Sequence, residues 1–230
     1  MLDRVRRGRY YSAKFSPKRA IFREIDNHDL NDKQMQLFPL FLKLAGRKVL
    51  VVGGGPVATA KVAALRDAGA HITVVAPEVE PALAALAADG KISVALRCFE
   101  AADLGGAWLV VAAATPDVNR GVAAAAESQR LLVLAVDDPS ATSAYGAGTL
   151  RRGGVTVAVS TDGRAPALAG LLREGLEAVL PEDLEAWSAT AAAARAQWRA
   201  AGVPMAERRP LLLRALNTIY DRKGEGKGAS

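Results

Sequence analysis

Two groups of residues in this chain of 230 residues have types and spacing suited to chemistry. The first is Gly53-Gly54-Gly55-Pro56-Val57-Ala58, whose Gly-x-Gly-x-x-Ala spacing is typical of a turn that binds a dinucleotide. The second is Asp137, with Asp138 beside it, where a carboxylate could accept a proton or hold a cation. The residues alone leave Asp137 open between that role and a turn aspartate before Pro139. Asp138 is expected to turn outward.

The neighbours of the glycine stretch decide what it can do. The apolar run 48–52 before it predicts a strand buried on both faces, and a helix is predicted over 58–68 with a second strand at 72–75. In that context Gly53 permits a tight turn, Gly55 lets backbone approach a pyrophosphate, and Ala58 lets the helix pack closely. The start of the helix adds free N–H groups for the anion. The stretch therefore predicts a nucleotide site, and a glycine turn with a packing role only is the alternative.

Strands and helices alternate along the first part of the chain. Further strands are predicted at 92–96, 108–114 and 131–136, with helices at 81–89 and 119–128. This alternation predicts an α/β fold with a Rossmann-type, doubly wound parallel sheet. Ligands bind such sheets beyond the carboxyl ends of the strands. Four candidate residues fall at these predicted ends: Gly53, Pro77, Thr115 and Asp137.

The alternation stops near residue 142. Two short strands are predicted at 143–150 and 155–160 around the turn 151–154, and a helix beginning at Pro166 follows them. One face of that helix is apolar and is formed by Leu168, Leu171, Leu172, Leu176 and Val179. Two more helices are predicted, one from 181 through 198 and one over 210–220. The expected domains are a Rossmann domain (35–142), a dimerisation segment (143–180), a helical C-terminal domain (181–223) and a disordered tail (224–230).

Residues 1–34 hold nine Lys or Arg and five Asp or Glu, which accounts for most of the net charge of +6. Interleaved basic and aromatic residues suit an arm for nucleic acid or a membrane surface. The acidic residues and the lack of apolar periodicity favour a disordered or non-native extension instead. The rest of the chain is nearly neutral, and it has no apolar run near the roughly 18 residues of a membrane span. We therefore predict no nucleic-acid partner and no membrane.

The residue inventory narrows the chemistry further. The single cysteine, Cys98, excludes an internal disulfide and a cysteine-cluster metal site, and it fits a reducing cytoplasm. There are only two histidines, His28 and His71, so neither a histidine base nor a multi-histidine metal site is predicted. Asp137 is the remaining candidate for proton transfer.

Six blocks of sequence carry a family resemblance. They are Leu37-Phe38-Pro39-Leu40-Phe41, the glycine stretch with Lys61, Gly69-Ala70 before Thr73-Val74-Val75-Ala76-Pro77, Ala114-Thr115 with Asn119, Val136-Asp137-Asp138-Pro139, and 157–166 followed by Leu171-Leu172-Arg173-Glu174. In order and spacing they resemble precorrin-2 dehydrogenase, an enzyme of sirohaem synthesis that also occurs as the N-terminal half of sirohaem synthase. The resemblance extends over about residues 35–220, and residues 1–34 have no counterpart in it.

The resemblance implies a homodimer that oxidises precorrin-2 to sirohydrochlorin with NAD. Some members of the family also insert iron. The resemblance implies that Asp137 is the key aspartate, and the metal contact if this chain inserts iron. The predicted nucleotide contacts are Gly53, Gly54, Gly55, Pro56, Val57, Ala58, Pro77, Glu78 and Thr115. The predicted substrate contacts are Ser160, Thr161, Asp162, Gly163 and Arg164. Thr161 stands where some members have a second serine.

Several residues set this chain apart or leave choices open. Ala76 stands where NAD folds usually carry an acidic residue, and Glu78 follows two residues later. The turn 146–148 departs from the apolar-proline turn of the family. Six arginines of the second half are candidates for substrate carboxylates: Arg151, Arg152, Arg164, Arg173, Arg208 and Arg209. The alternative function is an NAD-sensing regulatory module without turnover.

Overall fold

The computed structural model describes residues 36–225, so the predicted N-terminal extension 1–34 lies outside the described residues. A five-stranded parallel sheet has the order β3-β2-β1-β4-β5. Its strands are β1 (Lys48–Val52), β2 (His71–Ala76), β3 (Ser93–Leu96), β4 (Leu109–Ala112) and β5 (Leu132–Ala135). They are connected by α1 (Pro56–Asp67), α2 (Pro81–Ala88), a short 3-10 turn (Ala101–Leu104) and α3 (Pro116–Ser128). The predicted Rossmann-type parallel sheet is confirmed.

The two faces of β1 are buried in two separate clusters. Val49 and Val51 pack with Val62 of α1 on one face, whereas Leu50 and Val52 pack with residues of α3 on the other. Successive side chains of a strand point to opposite faces, so helices on both sides bury the whole strand. Full burial of each such Val or Leu stabilises the fold by roughly 1.5–3 kcal/mol. This rigid double layer fixes the carboxyl end of β1, where the glycine stretch begins.

The segment before β1 contributes less to the core than its apolar sequence suggests. Leu44 is buried, but Leu40, Phe41 and Leu42 are exposed. The apolar sequence of this segment predicts that all four cover an edge of the sheet, and for three of them that prediction is wrong. Leu44 lies in the turn in which the Arg47 N–H donates to the Leu44 carbonyl, next to the core, while the three earlier residues precede that turn.

The second half of the chain begins with a two-stranded antiparallel sheet, β6 (Gly148–Arg152) and β7 (Val155–Val159). Gly153 and Gly154 connect them with φ of +54° and +77°, as the tight turns of β-hairpins require. Helix α4 (Pro166–Val179) packs on both strands, and α5 (Leu184–Ala200) packs against α6 (Met205–Glu225). No helix between residues 36 and 225 is both long enough and apolar enough to cross a membrane.

The strand predicted at 143–150 is wrong in its first half. Ser143 and Ala144 both donate their N–H groups to the Val133 carbonyl, and the Ser143 hydroxyl accepts the Val133 N–H at 2.8 Å. These residues therefore satisfy the open edge of β5, and the hairpin starts later, at Gly148.

Two helix boundaries also differ from the sequence expectations. Helix α6 begins at Met205 and includes Pro210, the first residue of the predicted helix. It continues to Glu225, so the first two residues of the tail predicted at 224–230 are helical, and residues 226–230 lie outside the described range.

Candidate functional site

Two of the three glycines in the turn after β1 are required by close packing. Gly53 has φ of +122°, and a Cβ there would stand 2.2 Å from the Ala113 carbonyl oxygen. A Cβ on Gly54 would stand 1.9 Å from the Glu78 carbonyl oxygen, while the Gly54 carbonyl accepts the Glu80 N–H at 2.8 Å. The turn therefore contacts the end of β4 on one side and the loop after β2 on the other. Gly53 and Gly54 therefore have the packing role that the sequence left as the alternative to a nucleotide site.

Gly55 has no such neighbours. Its φ of −84° and ψ of −171° are open to any residue, and a Cβ would meet nothing within 4 Å. It caps α1 without a side-chain hydrogen bond, so the first N–H groups of the helix have no capping side chain. Open space in front of a helix N-terminus suits an anionic group. The turn therefore fits the pyrophosphate of a dinucleotide.

The loop after β2 borders this turn and carries the predicted contacts Pro77 and Glu78. Ala76 is buried, so nothing at that position reaches a ligand, whereas Pro77 and Glu78 are exposed. The backbone contact between Glu78 and Gly54 brings this acidic residue next to the turn. Glu78, two residues later than usual, is thus an exposed acidic residue beside the nucleotide turn.

A pocket of about 480 Å³ opens at the carboxyl ends of β4 and β5. Its lining includes Val57 from the first turn of α1, Ala114 after β4, Arg120 of α3, and Asp137 after β5. Ala58, in contrast, is fully buried against the sheet. The structure therefore brings Val57, near the end of the nucleotide turn, and the predicted key aspartate to one cavity.

Thr115 lies at the rim of this region. It is the exposed N-terminal cap of α3, and its hydroxyl makes no capping hydrogen bond. We predicted the helix to begin at Asn119, but it begins at Pro116, because proline is well suited to the first helical position. A second helix N-terminus therefore opens next to the pocket.

Asp137 has an unusual backbone conformation. Its φ is +58°, in the left-handed region that few residues other than glycine adopt. Its side chain is exposed, and within residues 36–225 its carboxylate makes no hydrogen bond or ion pair. Strained residues are concentrated at functional sites, where the surroundings hold them in place. A strained, unpartnered carboxylate in a pocket is available to a ligand.

The buried amide of Asn119 holds the loops on both sides of this pocket. Its Oδ1 accepts the Ala114 N–H at 2.9 Å, and its Nδ2 donates to the Val136 carbonyl at 3.4 Å. The residue is only 3% exposed and is the single buried polar side chain in the described part of the chain. We did not predict a site role for Asn119. The available signal was a polar residue on the same helix face as Val122 and Ala126.

Asp138 is bonded into its own loop. Its Oδ1 accepts the Ser140 hydroxyl at 2.6 Å and the N–H groups of Ser140 and Ala141 at 3.0 and 3.2 Å. These bonds, that of the Ser140 hydroxyl first, hold the pKa of Asp138 below its ordinary value, and nearby Arg120 acts in the same direction. The expectation that Asp138 turns outward was wrong, because its carboxylate closes the turn that follows Asp137.

The predicted substrate turn, 160–164, is held by its own hydroxyl groups. Ser160 Oγ accepts the Asp162 N–H at 3.1 Å, and Thr161 Oγ1 accepts the Ala165 N–H at 3.2 Å. Asp162 and Gly163 both have positive φ, of +54° and +76°. Arg164 donates to the Thr161 carbonyl.

Tyr145 links this turn to the loop of Asp137. A Cβ on Gly163 would stand 2.8 Å from Cε1 of Tyr145, so the ring lies directly on the turn. The Tyr145 hydroxyl donates to the Pro139 carbonyl at 3.4 Å. The two predicted regions thus share one neighbour.

Several of the candidate arginines already form hydrogen bonds or ion pairs within the chain. Arg152 donates to the carbonyls of Glu177 and Leu180, Arg173 pairs with the Glu177 carboxylate, and Arg208 donates to the Val203 carbonyl. Arg151 and Arg209 are exposed. Among residues 36–225, no group of three or more His, Cys, Asp or Glu side chains could hold a metal ion.

Comparisons with known proteins agree with this geometry. A family model described as "Putative NAD(P)-binding" matches residues 40–147, and one described as "Sirohaem biosynthesis protein central" matches residues 152–178. The solved structure "SirC, precorrin-2 dehydrogenase" is similar with a TM-score of 0.61 and 27% identity, over 77% of this chain and 88% of that one. The resemblance to the precorrin-2 dehydrogenase family is confirmed. The glycine turn therefore belongs to an NAD(P)-binding domain.

Curated relatives are longer proteins. Siroheme synthase 3 of Aeromonas hydrophila is 44% identical over 192 residues, which cover 83% of this chain but 41% of the relative. The siroheme synthase of Neisseria meningitidis is 45% identical over 151 residues, which cover 65% of this chain and 32% of the relative. The chain thus spans less than half the length of these relatives.

Proposed function

We propose that this chain catalyses the NAD-dependent oxidation of precorrin-2 to sirohydrochlorin in sirohaem biosynthesis. The observation that carries the proposal is the pocket shared by the nucleotide turn and Asp137. Such a cavity suits a reaction in which a dinucleotide and a proton acceptor act on one substrate. The similarity to a precorrin-2 dehydrogenase structure and to curated sirohaem synthases supports the choice of substrate.

The roles of the residues follow from their positions. Gly55 and the first N–H groups of α1 would bind the pyrophosphate, and Glu78 would bind ribose hydroxyls. Bound NAD supplies the hydride acceptor. Oxidation also removes a proton from the macrocycle, and Asp137 is the exposed, unpartnered carboxylate positioned to accept it. Asn119 and Asp138 position Asp137 by holding the residues on either side of it.

NAD rather than NADP is supported by Glu78. A carboxylate beside the ribose favours free hydroxyls, because it would repel the phosphate of NADP. Replacing Glu78 with glutamine should reduce the preference for NAD over NADP, measured as the ratio of the NADP and NAD dissociation constants. An unchanged ratio would mean that Glu78 does not determine which cofactor is bound.

An anaerobic assay tests the proposed reaction directly. Precorrin-2 and NAD are mixed with the protein, and NADH and sirohydrochlorin are followed by absorbance. Equal formation of both products is expected. A protein that binds NAD but forms neither product would instead be the regulatory nucleotide sensor, the alternative function.

Metal insertion is a second activity that the same experiment can test. The curated relatives carry the name siroheme synthase, which favours iron as a further substrate. Iron or cobalt is added once oxidation is complete, and the absorbance of the metallated product is followed. Asp137 is the residue we expect to contact the metal during insertion, since oxygen ligands suit hard cations.

A homodimer built through segment 143–180 is supported by the surface of α4. Leu168, Leu171, Leu172, Leu176 and Val179 form one face of the helix, and all five are exposed in the single chain. A contiguous apolar helix face of this kind marks an interaction surface. A second copy of the chain is the partner that we propose for it.

The cytoplasm is the compartment we propose. Cys98, the single cysteine of the chain, is exposed and unpaired. Free exposed thiols persist where the surroundings are reducing. Fractionation of cells with an antibody against the chain would test this location.

A further inference from the structure

We propose that Arg120 binds a carboxylate side arm of the substrate and so determines which edge of the macrocycle meets Asp137. This inference rests on the proposed function, because it assumes a substrate with many carboxylates. Arg120 was not among the arginines that the sequence indicated. It lies on α3, and it lines the Asp137 pocket together with a second cavity beside it.

The second cavity has a volume of about 380 Å³ and shares Arg120 and Ser140 with the Asp137 pocket. Its floor is apolar and is formed by Ala123, Ala124 and Val133. A short hydrocarbon arm could lie against these methyl groups. The cavity is therefore suited to a group with an apolar stem and a polar end.

The other polar groups of this cavity are already used by the protein. The Thr142 hydroxyl accepts the Ala135 N–H at 2.7 Å, and the Ser143 hydroxyl accepts the Val133 N–H at 2.8 Å. The Ser140 hydroxyl donates to Asp138. Glu127 would repel an anion. Arg120 is thus the cation in the lining of both cavities, and an acidic arm would pair with it.

The present partners of Arg120 leave it available. Its guanidinium pairs with Asp117, one helical turn earlier, whose side chain is 92% exposed. It also lies 4.0 Å from the Asp138 carboxylate. An exposed pair within one helix is weak because water screens it. A substrate carboxylate can form two parallel N–H···O bonds with guanidinium, and we expect it to displace Asp117.

The test compares Arg120→Gln, Arg120→Lys and Asp117→Asn with the parent. Sirohydrochlorin is titrated by absorbance without NAD, and KM, kcat and the NAD dissociation constant are measured separately. Arg120→Gln should weaken sirohydrochlorin binding and raise KM by roughly 10- to 100-fold, the scale of losing a charged hydrogen bond. Lysine should restore part of the loss. Asp117→Asn, which frees the guanidinium, should strengthen binding.

Matched controls separate this role from a structural one. Arg66→Gln removes the same charge from the last turn of α1, at the other end of that helix from Val57 in the pocket lining, and should bind like the parent. Ala124→Leu fills the second cavity and should weaken binding, whereas Ala64→Leu on the exposed side of α1 should not.

The outcomes distinguish this inference from the proposed function. A parent protein that neither binds sirohydrochlorin nor oxidises precorrin-2 would overturn the proposed function. A parent that does both, with Arg120→Gln and Ala124→Leu binding equally well, would overturn the role of Arg120 alone. Loss of NAD binding in Arg120→Gln would also contradict it, because the arginine would then serve the nucleotide.

Discussion

The Glu78 carbonyl oxygen lies so close to Gly54 that a Cβ on that glycine would stand 1.9 Å from it. The contact joins the turn after β1 to the loop after β2, and the Gly54 carbonyl completes it by accepting the Glu80 N–H. Gly55, the next residue, has open space instead. Adjacent glycines therefore differ: Gly54 packs against backbone, whereas Gly55 faces open space that suits a ligand.

The two glycines should respond differently to substitution. Gly54→Ala should destabilise the fold by about 1–3 kcal/mol or more, because two backbone segments must move apart. Gly55→Asp should leave the melting temperature near that of the parent but abolish most NAD binding, since it places a negative charge where we propose that the pyrophosphate binds. Calorimetric titration with NAD and thermal unfolding measure the two effects. Unchanged NAD affinity in Gly55→Asp would mean that the nucleotide does not bind at this turn.

Replacing Asp137 should separate binding from turnover. Asp137→Asn keeps a residue that tolerates positive φ, so the fold and the NAD affinity should remain, while dehydrogenation should fall by roughly 100-fold or more. Steady-state rates with precorrin-2 and a separate NAD titration give the two readouts.

Asp138→Ala is the matched comparison. It removes the acceptor of three hydrogen bonds in the loop, so it should lower the melting temperature more than Asp137→Asn does, yet retain more activity. If Asp137→Asn oxidises precorrin-2 at the parental rate, Asp137 has no role in the reaction beyond its place in the turn.

The exposed face of α4 should control assembly. Leu172→Glu places a charge in the middle of the apolar face and should convert the expected dimer to a monomer. Sedimentation or light scattering over a range of concentrations measures this. Glu174→Gln, outside that face on the same helix, is the control. A parent that is monomeric at every concentration would contradict the dimer.

Stability should depend on pH through Asp103. Its carboxylate accepts two hydrogen bonds from Arg97, at 2.5 and 2.9 Å, which hold the pKa of Asp103 below its ordinary value against the opposing effect of burial. The folded state therefore binds fewer protons than the unfolded chain does. The resulting stabilisation is present above about pH 4 and is lost as pH falls through the folded pKa.

Urea unfolding across pH checks this dependence. Asp103→Asn should be less stable than the parent near neutral pH, and the difference in free energy of unfolding should shrink below about pH 4. Asp89→Asn, an exposed aspartate after α2, should show no such narrowing. A difference that stays constant with pH would mean that the charge of Asp103 is not responsible.

The sequence predicted the main sheet well because each buried strand is an uninterrupted apolar run that ends at a turn residue. The run from Lys48 to Val52 matches β1 from its first residue to its last. The position of Asp137 after β5 followed from the same pattern. Its positive φ did not, because it depends on bonds that Asn119 and Asp138 make with distant or later backbone.

The sequence failed where tertiary contacts override local pattern. Residues 143 and 144 belong to a segment with the alternating pattern of a strand, but their N–H groups donate to the Val133 carbonyl at the edge of β5. Asp138 looks like a surface residue, and only its loop shows that its carboxylate is already used. Arg120 was overlooked because helix α3 and the loop after β5 come together only in the folded sheet.

The order of the strands has a consequence for the newly made chain. β1 pairs with both β2 and β4, so the turn after β1 rests against Ala113, a residue synthesised much later. A chain that has emerged only as far as β3 contains the whole glycine motif but lacks the surface that shapes it. Dinucleotide binding would then begin only once β4 is in place. Because a ligand stabilises only the state that binds it, NAD would stabilise chains in which β4 has folded and would not stabilise partly folded chains.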